Sequence, residues 1–324
     1  MIKKIKKISF ITLPIALGFF LIWYSLSKLT DNDFLSIKTS FRTANYWWVL
    51  LSLTFGALSH LSRAYRWQFL LEPLGYKPKL ANSIMAVLIA YLLNLVVPRS
   101  GEVARAATIK KYENIPFKKA FGTIVAERVS DVIMLSCIIG IAFILQTELI
   151  SSYIFKEDSG SSNYSKIIIF GVLPLTGLLT YFSLKNSKNP FILKIIFFIN
   201  GLFDGVKSIY KMKKKWEYLF HTLFIWAMYV LMFYAVTFAL PETTNLPFSA
   251  IIVGFVVGGL SMALTNGGLG TYPVFVASAL ILYNVDDNPA RAFGWIMWTA
   301  QTVMVILFGG LSFLFLPIYN KYQK

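Results

Sequence analysis

Apolar segments of about 20 residues recur along this chain, and they decide what kind of protein it can be. Hydrophobic residues make up 56% of the 324 residues, charged residues make up only 14%, and the mean hydropathy is +0.63. This composition is not that of a soluble globular protein. We therefore predict an all-α, polytopic integral membrane protein whose helices cross the bilayer.

Six segments are predicted to cross the membrane completely, because each can span a hydrocarbon core of roughly 30 Å at ~1.5 Å per residue. They are residues 8–26, 46–62, 120–146, 166–184, 217–240 and 291–316. The first follows the basic sequence M-I-K-K-I-K-K and resembles a signal peptide. We expect it to be retained, since no small-residue cleavage pattern follows Ser27.

The distribution of Lys and Arg sets the predicted orientation in a cytoplasmic membrane. The formal net charge is +16, from 31 Lys and Arg against 15 Asp and Glu. Basic residues tend to stay on the cytoplasmic side, and no basic stretch belongs to a recognisable nucleic-acid-binding module, so we expect no nucleic-acid partner. With both termini in the cytoplasm, only six basic residues lie outside: Lys28, Lys38, Arg42, Lys156, Lys166 and Arg291.

The sequence N-L-V-V-P-R-S-G-E-V-A-R, residues 94–105, is the predicted functional centre. If the apolar run before it crossed the membrane, every basic residue from Arg99 to Lys119 would lie outside, against the positive-inside tendency. A re-entrant hairpin resolves this conflict: residues 81–97 enter the membrane, the chain breaks at Pro98–Gly101, and it returns through residues 102–119. Irregular backbone at that depth must be buried in protein or line a wet cavity, so the break is a candidate site.

A second interruption, T-N-G-G-L-G-T-Y-P at residues 265–273, lies within the apolar segment 248–283. Two helices or a second hairpin would both fit there. The two broken segments would enter from opposite faces, as in transporters built from inverted repeats, here residues 1–147 and 148–324. The halves show no convincing residue-level repeat, so loosely packed helices with a glycine-rich turn are the alternative.

Ionisable groups at membrane depth mark candidate binding residues. They form two groups: Arg99, Glu102 and Arg105 in the hairpin, and Glu127, Arg128 and Asp131 in E-R-V-S-D. Glu127 and Asp131 share a helix face, and the hairpin arginines are their nearest predicted partners. Such a network could be an ion-pair lock, or its arginines could bind a lipid phosphate. Both interpretations predict that these residues are buried close together.

Other polar residues complete the candidate substrate-binding set. Arg63 and Arg66 lie in S-R-A-Y-R-W, where interfacial anchoring beside Tyr65 and Trp67 is one interpretation and headgroup contact is the other. The remaining candidates are Asn94 in the first break and Asn266, Gly267, Gly268 and Tyr272 in the second. Backbone N–H groups of the second break could bind an anion, or the glycines could form a plain turn.

Several motifs that carry chemistry are missing from the sequence. It has no Walker A loop, no metal-ligand cluster, no G-x-S-x-G and no CxxC, and its single cysteine is Cys137. The two histidines, His60 and His221, are isolated within or beside spans, and we expect them to be helix residues rather than catalytic bases. We therefore expect no cofactor, no metal, no catalytic residue and no enzymatic activity.

Together R-A-Y-R-W, N-L-V-V-P-R-S-G-E-V-A-R, E-R-V-S-D and G-G-L-G make the chain resemble the flippase-like membrane family that includes the N-terminal transmembrane domain of lysylphosphatidylglycerol synthase. The resemblance implies a protein that moves a lipid, or a lipid-linked group, between leaflets. Bifunctional relatives carry a C-terminal aminoacyl-transferase domain; the sequence ends at Lys324 without one, so we expect no such activity. Relatives often have proline before the two glycines and glutamate soon after, whereas Asn266 precedes them here and Thr271 follows.

The leading hypothesis is therefore a lipid flippase or facilitator. A phosphate-bearing headgroup would bind Arg99, Arg105 and Arg128, with Glu102, Glu127 and Asp131 balancing the charge. One alternative is a membrane enzyme or accessory subunit for lipid or lipid-linked glycan modification. Another is a solute transporter coupled to protons through Glu127 and Asp131. The sequence leaves open the lipid, the energy source, the direction and whether the chain forms a homo-oligomer.

Overall fold

A computed structural model describes residues 16–25, 27, 29–146 and 209–321, together with residues 189, 192, 193, 196, 200 and 207. These residues form helices and connecting turns without β-strands, which confirms the all-α prediction. Ten α-helices lie in this part of the chain: α1 (Ala16–Ser25), α2 (Asp31–Thr43), α3 (Tyr46–Leu71), α4 (Leu80–Val96), α5 (Ser100–Glu113), α6 (Phe117–Leu145), α7 (Lys215–Thr237), α8 (Phe248–Leu264), α9 (Thr271–Ile281) and α10 (Asp287–Lys321).

Three helices, α6, α7 and α10, are long and apolar enough to cross a membrane. They correspond to the predicted spans 120–146, 217–240 and 291–316. Helix α3 begins at the predicted residue but continues to Leu71, so that Arg63 and Arg66 lie within it. Helix α1 is the described part of the first predicted span. The predicted span 166–184 and the loop before it lie outside the described residues.

Helices α4 and α5 form the predicted hairpin. Val97 is extended (φ −128°, ψ 118°) because the proline that follows disfavours helical backbone, and Arg99 is left-handed (φ 61°). A Cβ atom on Gly101 would lie 2.1 Å from the carbonyl oxygen of Ala90, so only glycine allows α5 to run this close to α4. With 17 and 14 residues, the two helices are roughly 25 and 21 Å long, less than the ~30 Å membrane core.

Helices α8 and α9 flank the second break. Helix α9 has 11 residues and is roughly 16 Å long, too short to cross the membrane, so a broken, hairpin-like segment replaces the alternative of two full spans. The turn between the helices uses the left-handed backbone that glycine adopts at little cost: φ is 62° at Gly267, 75° at Gly268 and 71° at Gly270.

The chain divides into two compact units, Met1–Glu127 with Trp216–Lys324, and Arg128–Lys215. In the first unit, a hydrophobic core lies mainly among α3, α7, α9 and α10, with Phe233 and Phe293 fully buried. Large apolar side chains also cover the surface of this unit, such as Trp23 at 64% exposure and Leu314 at 64%. An apolar surface around buried charged residues is expected when lipid is the solvent.

Candidate functional site

Helices α3, α5 and α6 bring four charged side chains together inside the first unit. Arg63 and Arg66 lie one turn apart on α3, Arg105 lies on α5 and Glu127 on α6, and each is at most 3% exposed. Glu127 Oε1 is 2.7 Å from Arg63 Nη1 and 3.3 Å from Arg66 Nη2, and its Oε2 is 2.9 Å from Arg105 Nη2. Three guanidinium groups therefore share one carboxylate. We call these four residues the arginine cluster.

Two of the arginines are also held by neutral side chains. Arg66 Nη1 donates a hydrogen bond to Thr222 Oγ1 at 3.0 Å, and its guanidinium lies 5.3 Å from the ring centre of Tyr218. The guanidinium of Arg105 lies 3.9 Å from the ring centre of Trp67, a distance at which cation–π attraction is significant. Contacts that do not involve Glu127 therefore also hold both arginines in position.

Arg63, the third arginine, contacts a group of aromatic side chains. Arg63 Nη2 donates a hydrogen bond to the hydroxyl of Tyr229 at 3.4 Å, and this hydroxyl lies 3.3 Å from that of Tyr91. The His60 ring packs against Tyr91 with ring centres 4.4 Å apart. His60 is 7% exposed, and its Nδ1 has no hydrogen-bond partner among the described residues. We call His60, Tyr91 and Tyr229 the tyrosine–histidine group.

The tips of the two hairpins touch. Asn266 Nδ2 donates a hydrogen bond to the carbonyl of Val96, the last residue of α4, at 3.0 Å. Trp298 Nε1 on α10 donates to the carbonyl of Gly267 at 2.9 Å and supports the second tip. In the first tip, the Asn94 side chain accepts the N–H of Gly101 at 2.8 Å, which satisfies one free donor at the start of α5. Contact between the tips is the arrangement expected of broken helices that enter from opposite faces.

Only some of the predicted binding residues lie together in the structure. The pairing of Arg105 with Glu127 is as the charge argument predicted. Interfacial anchoring of Arg63 and Arg66 is wrong, because both are buried against the same carboxylate. Arg99 is exposed at the left-handed tip and makes no ion pair with any residue that the structure describes, so its predicted burial beside Glu127 is also wrong.

The other charged candidates occupy different positions. Arg128 and Asp131 belong to the second unit and pair at 3.4 Å within α6; Asp131 is buried, but the Arg128 side chain is 42% exposed, contrary to prediction. Glu102 is half-buried in the first turn of α5. In the second hairpin, Gly268 is buried in the turn, and the buried Tyr272 hydroxyl accepts a hydrogen bond from Gln301 Nε2 at 3.4 Å.

The neutral residues that hold the arginines, Trp67, Tyr218 and Thr222, were not among the predicted binding residues, and Trp67 was predicted only as an interfacial residue. A partial signal was available, because Arg63, Arg66 and Trp67 follow an i, i+3, i+4 spacing that places them on one helix face. The residues on α7 carry no comparable signal, since their proximity to α3 is tertiary.

Comparison with known proteins finds one matching family and relatives in two organisms. Residues 11–310 match the family described as "Lysylphosphatidylglycerol synthase TM region". The UPF0104 membrane protein MJ1595 of Methanocaldococcus jannaschii is 26% identical over 275 residues, covering 76% of this chain and 77% of the relative. The glycosyltransferase AglD of Haloferax volcanii is 32% identical over 83 residues, which are 25% of this chain and 13% of that protein. No solved structure matches.

Proposed function

The chain belongs to the lysylphosphatidylglycerol synthase transmembrane-region family and is a multi-pass membrane protein, and from this premise we propose that it moves a lipid with a phosphate-bearing headgroup between membrane leaflets. The observation that carries the proposal is the convergence of three buried arginines on one buried carboxylate. Charged groups at this depth are costly to insert and usually mark a substrate pathway.

The arginine cluster has the chemistry to hold a phosphate. Guanidinium groups bind carboxylates and phosphates through the same forked N–H donors, so a phosphate can replace the Glu127 carboxylate without new donors. Arg66 and Arg105 keep their contacts with Thr222 and Trp67 during such an exchange. Glu127 then serves as an internal anion that occupies the arginines when no headgroup is bound.

In this proposal, the headgroup passes between the tips of the two hairpins. Substrate sites in repeat-built transporters lie where broken helices meet. The hydrogen bond from Asn266 to Val96 closes this junction in the present state. A headgroup that passes between the leaflets requires the tips to separate, while its acyl chains stay in the bilayer.

Two other functions fit the site less well. A membrane enzyme for lipid-linked glycans, a chemistry that the name of the Haloferax relative suggests, needs a carboxyl group that can exchange a proton with its substrate. A proton-coupled transporter needs the same property. The Glu127 carboxylate instead accepts hydrogen bonds from Arg63 and Arg105 and lies 3.3 Å from Arg66, an arrangement suited to a fixed negative charge.

We place the protein in the cytoplasmic membrane with both termini in the cytoplasm and without a required cofactor. Lys110 and Lys111 at the end of α5 then face the cytoplasm. A cysteine substituted for Lys110 should react with a membrane-impermeant thiol reagent only from the cytoplasmic side. Labelling from the outside alone would reverse the orientation.

The transport proposal is tested in vesicles reconstituted with the purified protein and fluorescent anionic, zwitterionic or polyprenyl-phosphate lipids. Wild-type protein should accelerate leaflet exchange of at least one phosphate-bearing lipid. Arg66→Gln and Arg105→Gln should each slow this exchange at least tenfold, whereas Arg42→Gln, which changes an exposed arginine on α2, should leave it unchanged. Unaltered exchange across all three lipid classes with wild-type protein would reject the proposal.

A further inference from the structure

The second hairpin tip contains a chain of four oxygen atoms with too few protons between them. Thr265 Oγ1 lies 3.0 Å from the carbonyl oxygen of Leu269 and 2.8 Å from Thr271 Oγ1. Thr271 Oγ1 in turn lies 2.9 Å from the carbonyl oxygen of Ser261. All three contacts are within hydrogen-bond distance, yet the two threonine hydroxyls supply only two protons. At least one pair of oxygen atoms therefore lies in contact without a proton between them.

A further buried oxygen in the same turn also lacks a donor. Asn266, which directly follows Thr265, is 7% exposed, and its Oδ1 has no hydrogen-bond partner among the described residues. Thr265 is 5% exposed, and Thr271 is fully buried. Buried polar atoms in native proteins are nearly always satisfied, so these acceptors point to a ligand. We call the side-chain oxygens of Thr265, Asn266 and Thr271, with the carbonyl oxygens of Ser261 and Leu269, the oxygen cluster.

The ligand that suits this cluster is a cation, because the atoms that lack a donor are all oxygens. An anion at the start of α9 would add further oxygens and increase the repulsion. Residues 248–281, which form α8, α9 and the turn between them, contain no Asp, Glu, Lys, Arg or His. No side chain of this segment therefore supplies the positive charge, and none supplies the carboxylates that divalent cations prefer. Metal-ligand motifs built on carboxylates, His or Cys cannot reveal a site whose ligands are neutral oxygens.

We infer that the oxygen cluster binds a monovalent cation of the size of sodium. Ligand oxygens only 2.8–3.0 Å apart favour a small ion. In transporters with broken helices, unwound carbonyl groups and helix C-terminal ends hold such ions, and α8 ends at Leu264, directly before the cluster. The ion takes the place of the missing proton and of the missing donor to Asn266 Oδ1.

Asn266 connects the ion to the junction between the hairpin tips. Its Nδ2 donates to the carbonyl of Val96 in the first tip, and an ion on its Oδ1 fixes the amide in the orientation that makes this hydrogen bond. Ion binding therefore stabilises the closed junction. The consequence for lipid movement, namely that the ion must leave before the tips separate, rests on the proposed function.

Thermal unfolding of the detergent-solubilised protein, followed by tryptophan fluorescence, tests the ion site without lipid. At about 100 times its dissociation constant, sodium chloride should raise the unfolding midpoint by roughly 5 °C relative to N-methylglucamine chloride, and potassium chloride should raise it less. Thr265→Val and Asn266→Ala should each raise the sodium concentration that gives half of this shift at least about tenfold. Thr265→Ser keeps the hydroxyl and should retain the response.

Each variant is compared with itself in the three salts, so a lower basal stability does not affect the result. The matched control is Thr237→Val, which removes a buried hydroxyl on α7 that donates to the Tyr234 carbonyl and should leave the sodium response unchanged. Equal midpoints in the three salts would overturn the ion site. Equal loss of the sodium response in Thr237→Val and Thr265→Val would overturn it as well.

Lipid exchange in reconstituted vesicles separates the ion site from its effect on transport. Saturating sodium on both sides should slow exchange by the wild-type protein at least about threefold relative to N-methylglucamine, and should leave exchange by Asn266→Ala unchanged. A sodium-dependent midpoint without any lipid exchange would support the ion site and reject the transport proposal. Sodium binding with exchange that is insensitive to sodium would overturn the link between the ion and the junction.

Discussion

Replacing Glu127 with alanine separates a phosphate site from a purely structural lock. The carboxylate is fully buried and contacts three arginines that are themselves at most 3% exposed. Removing one partner of a buried ion pair typically lowers the free energy of unfolding by about 3–5 kcal/mol. We expect a value near the upper end, because three buried arginines pair with this one carboxylate. We expect the unfolding midpoint of Glu127→Ala in detergent to fall on the order of 10 °C.

An added oxyanion should reverse part of this loss if the cluster can hold phosphate. The alanine leaves space for an anion, while Thr222 and Trp67 keep Arg66 and Arg105 in position. At a phosphate concentration of about 100 times its dissociation constant, binding contributes roughly 2.7 kcal/mol, which is about half of the loss. The assay is thermal unfolding followed by tryptophan fluorescence in phosphate, sulfate or chloride at equal ionic strength.

Asp287→Ala is the control, because its carboxylate pairs with Arg291 at 2.7 Å but is 50% exposed. We expect it to cost less than about 1 kcal/mol and to show no specific response to phosphate. A Glu127→Ala protein as stable as wild type would refute the energetic reasoning. A destabilised protein that phosphate and sulfate do not rescue would leave the cluster as an ion-pair lock and contradict the phosphate site.

Two further predictions concern the hairpins. Gly101→Ala should separate α4 from α5, because the new methyl group would lie 2.1 Å from the Ala90 carbonyl oxygen. We expect the free energy of unfolding, measured by thermal unfolding, to fall by about 1–3 kcal/mol or more. Gly122→Ala meets no atom within 4 Å and should be neutral or slightly stabilising; equal effects would contradict the packing argument. Cross-linking Val96→Cys to Asn266→Cys with a short thiol reagent, in a variant lacking the native cysteine, should arrest lipid exchange until the link is cleaved. Continued exchange would show that the tips need not separate.

The fold could largely be predicted from local features of the sequence. Helix length and apolarity identify α6, α7 and α10 directly. The first hairpin followed from a conflict between its apolar run and the basic residues after it, which full crossing cannot satisfy. The break itself depends on the restricted backbone before Pro98, a local effect that sequence analysis can use.

The candidate site was only half predictable, because its assembly is tertiary. The predicted span 46–62 stopped before the first arginine, yet α3 continues to Leu71, since Arg63 and Arg66 can lie within a helix when a buried carboxylate pairs with them. Arg63 and Arg66 therefore lie inside rather than at the interface. Arg99 is the opposite error: its charge resembled that of Arg105, but its place at the turn leaves it exposed.

The helices that the structure describes form two series with the same order of lengths, although the predicted halves show no convincing residue-level repeat. Helices α3–α6 have 26, 17, 14 and 29 residues, and α7–α10 have 23, 17, 11 and 35, so each series runs long, short, short, long. The arginine cluster comes entirely from the first series. The second series instead brings a glycine close to the first hairpin tip: a Cβ atom on Gly267 would lie 2.4 Å from the Leu95 side chain. Helix order is set by where apolar runs break, whereas residue identity is set by local contacts, the ion pairs with Glu127 in one series and the close-packed glycine turn in the other, so the two series can keep one order of lengths without sharing a motif.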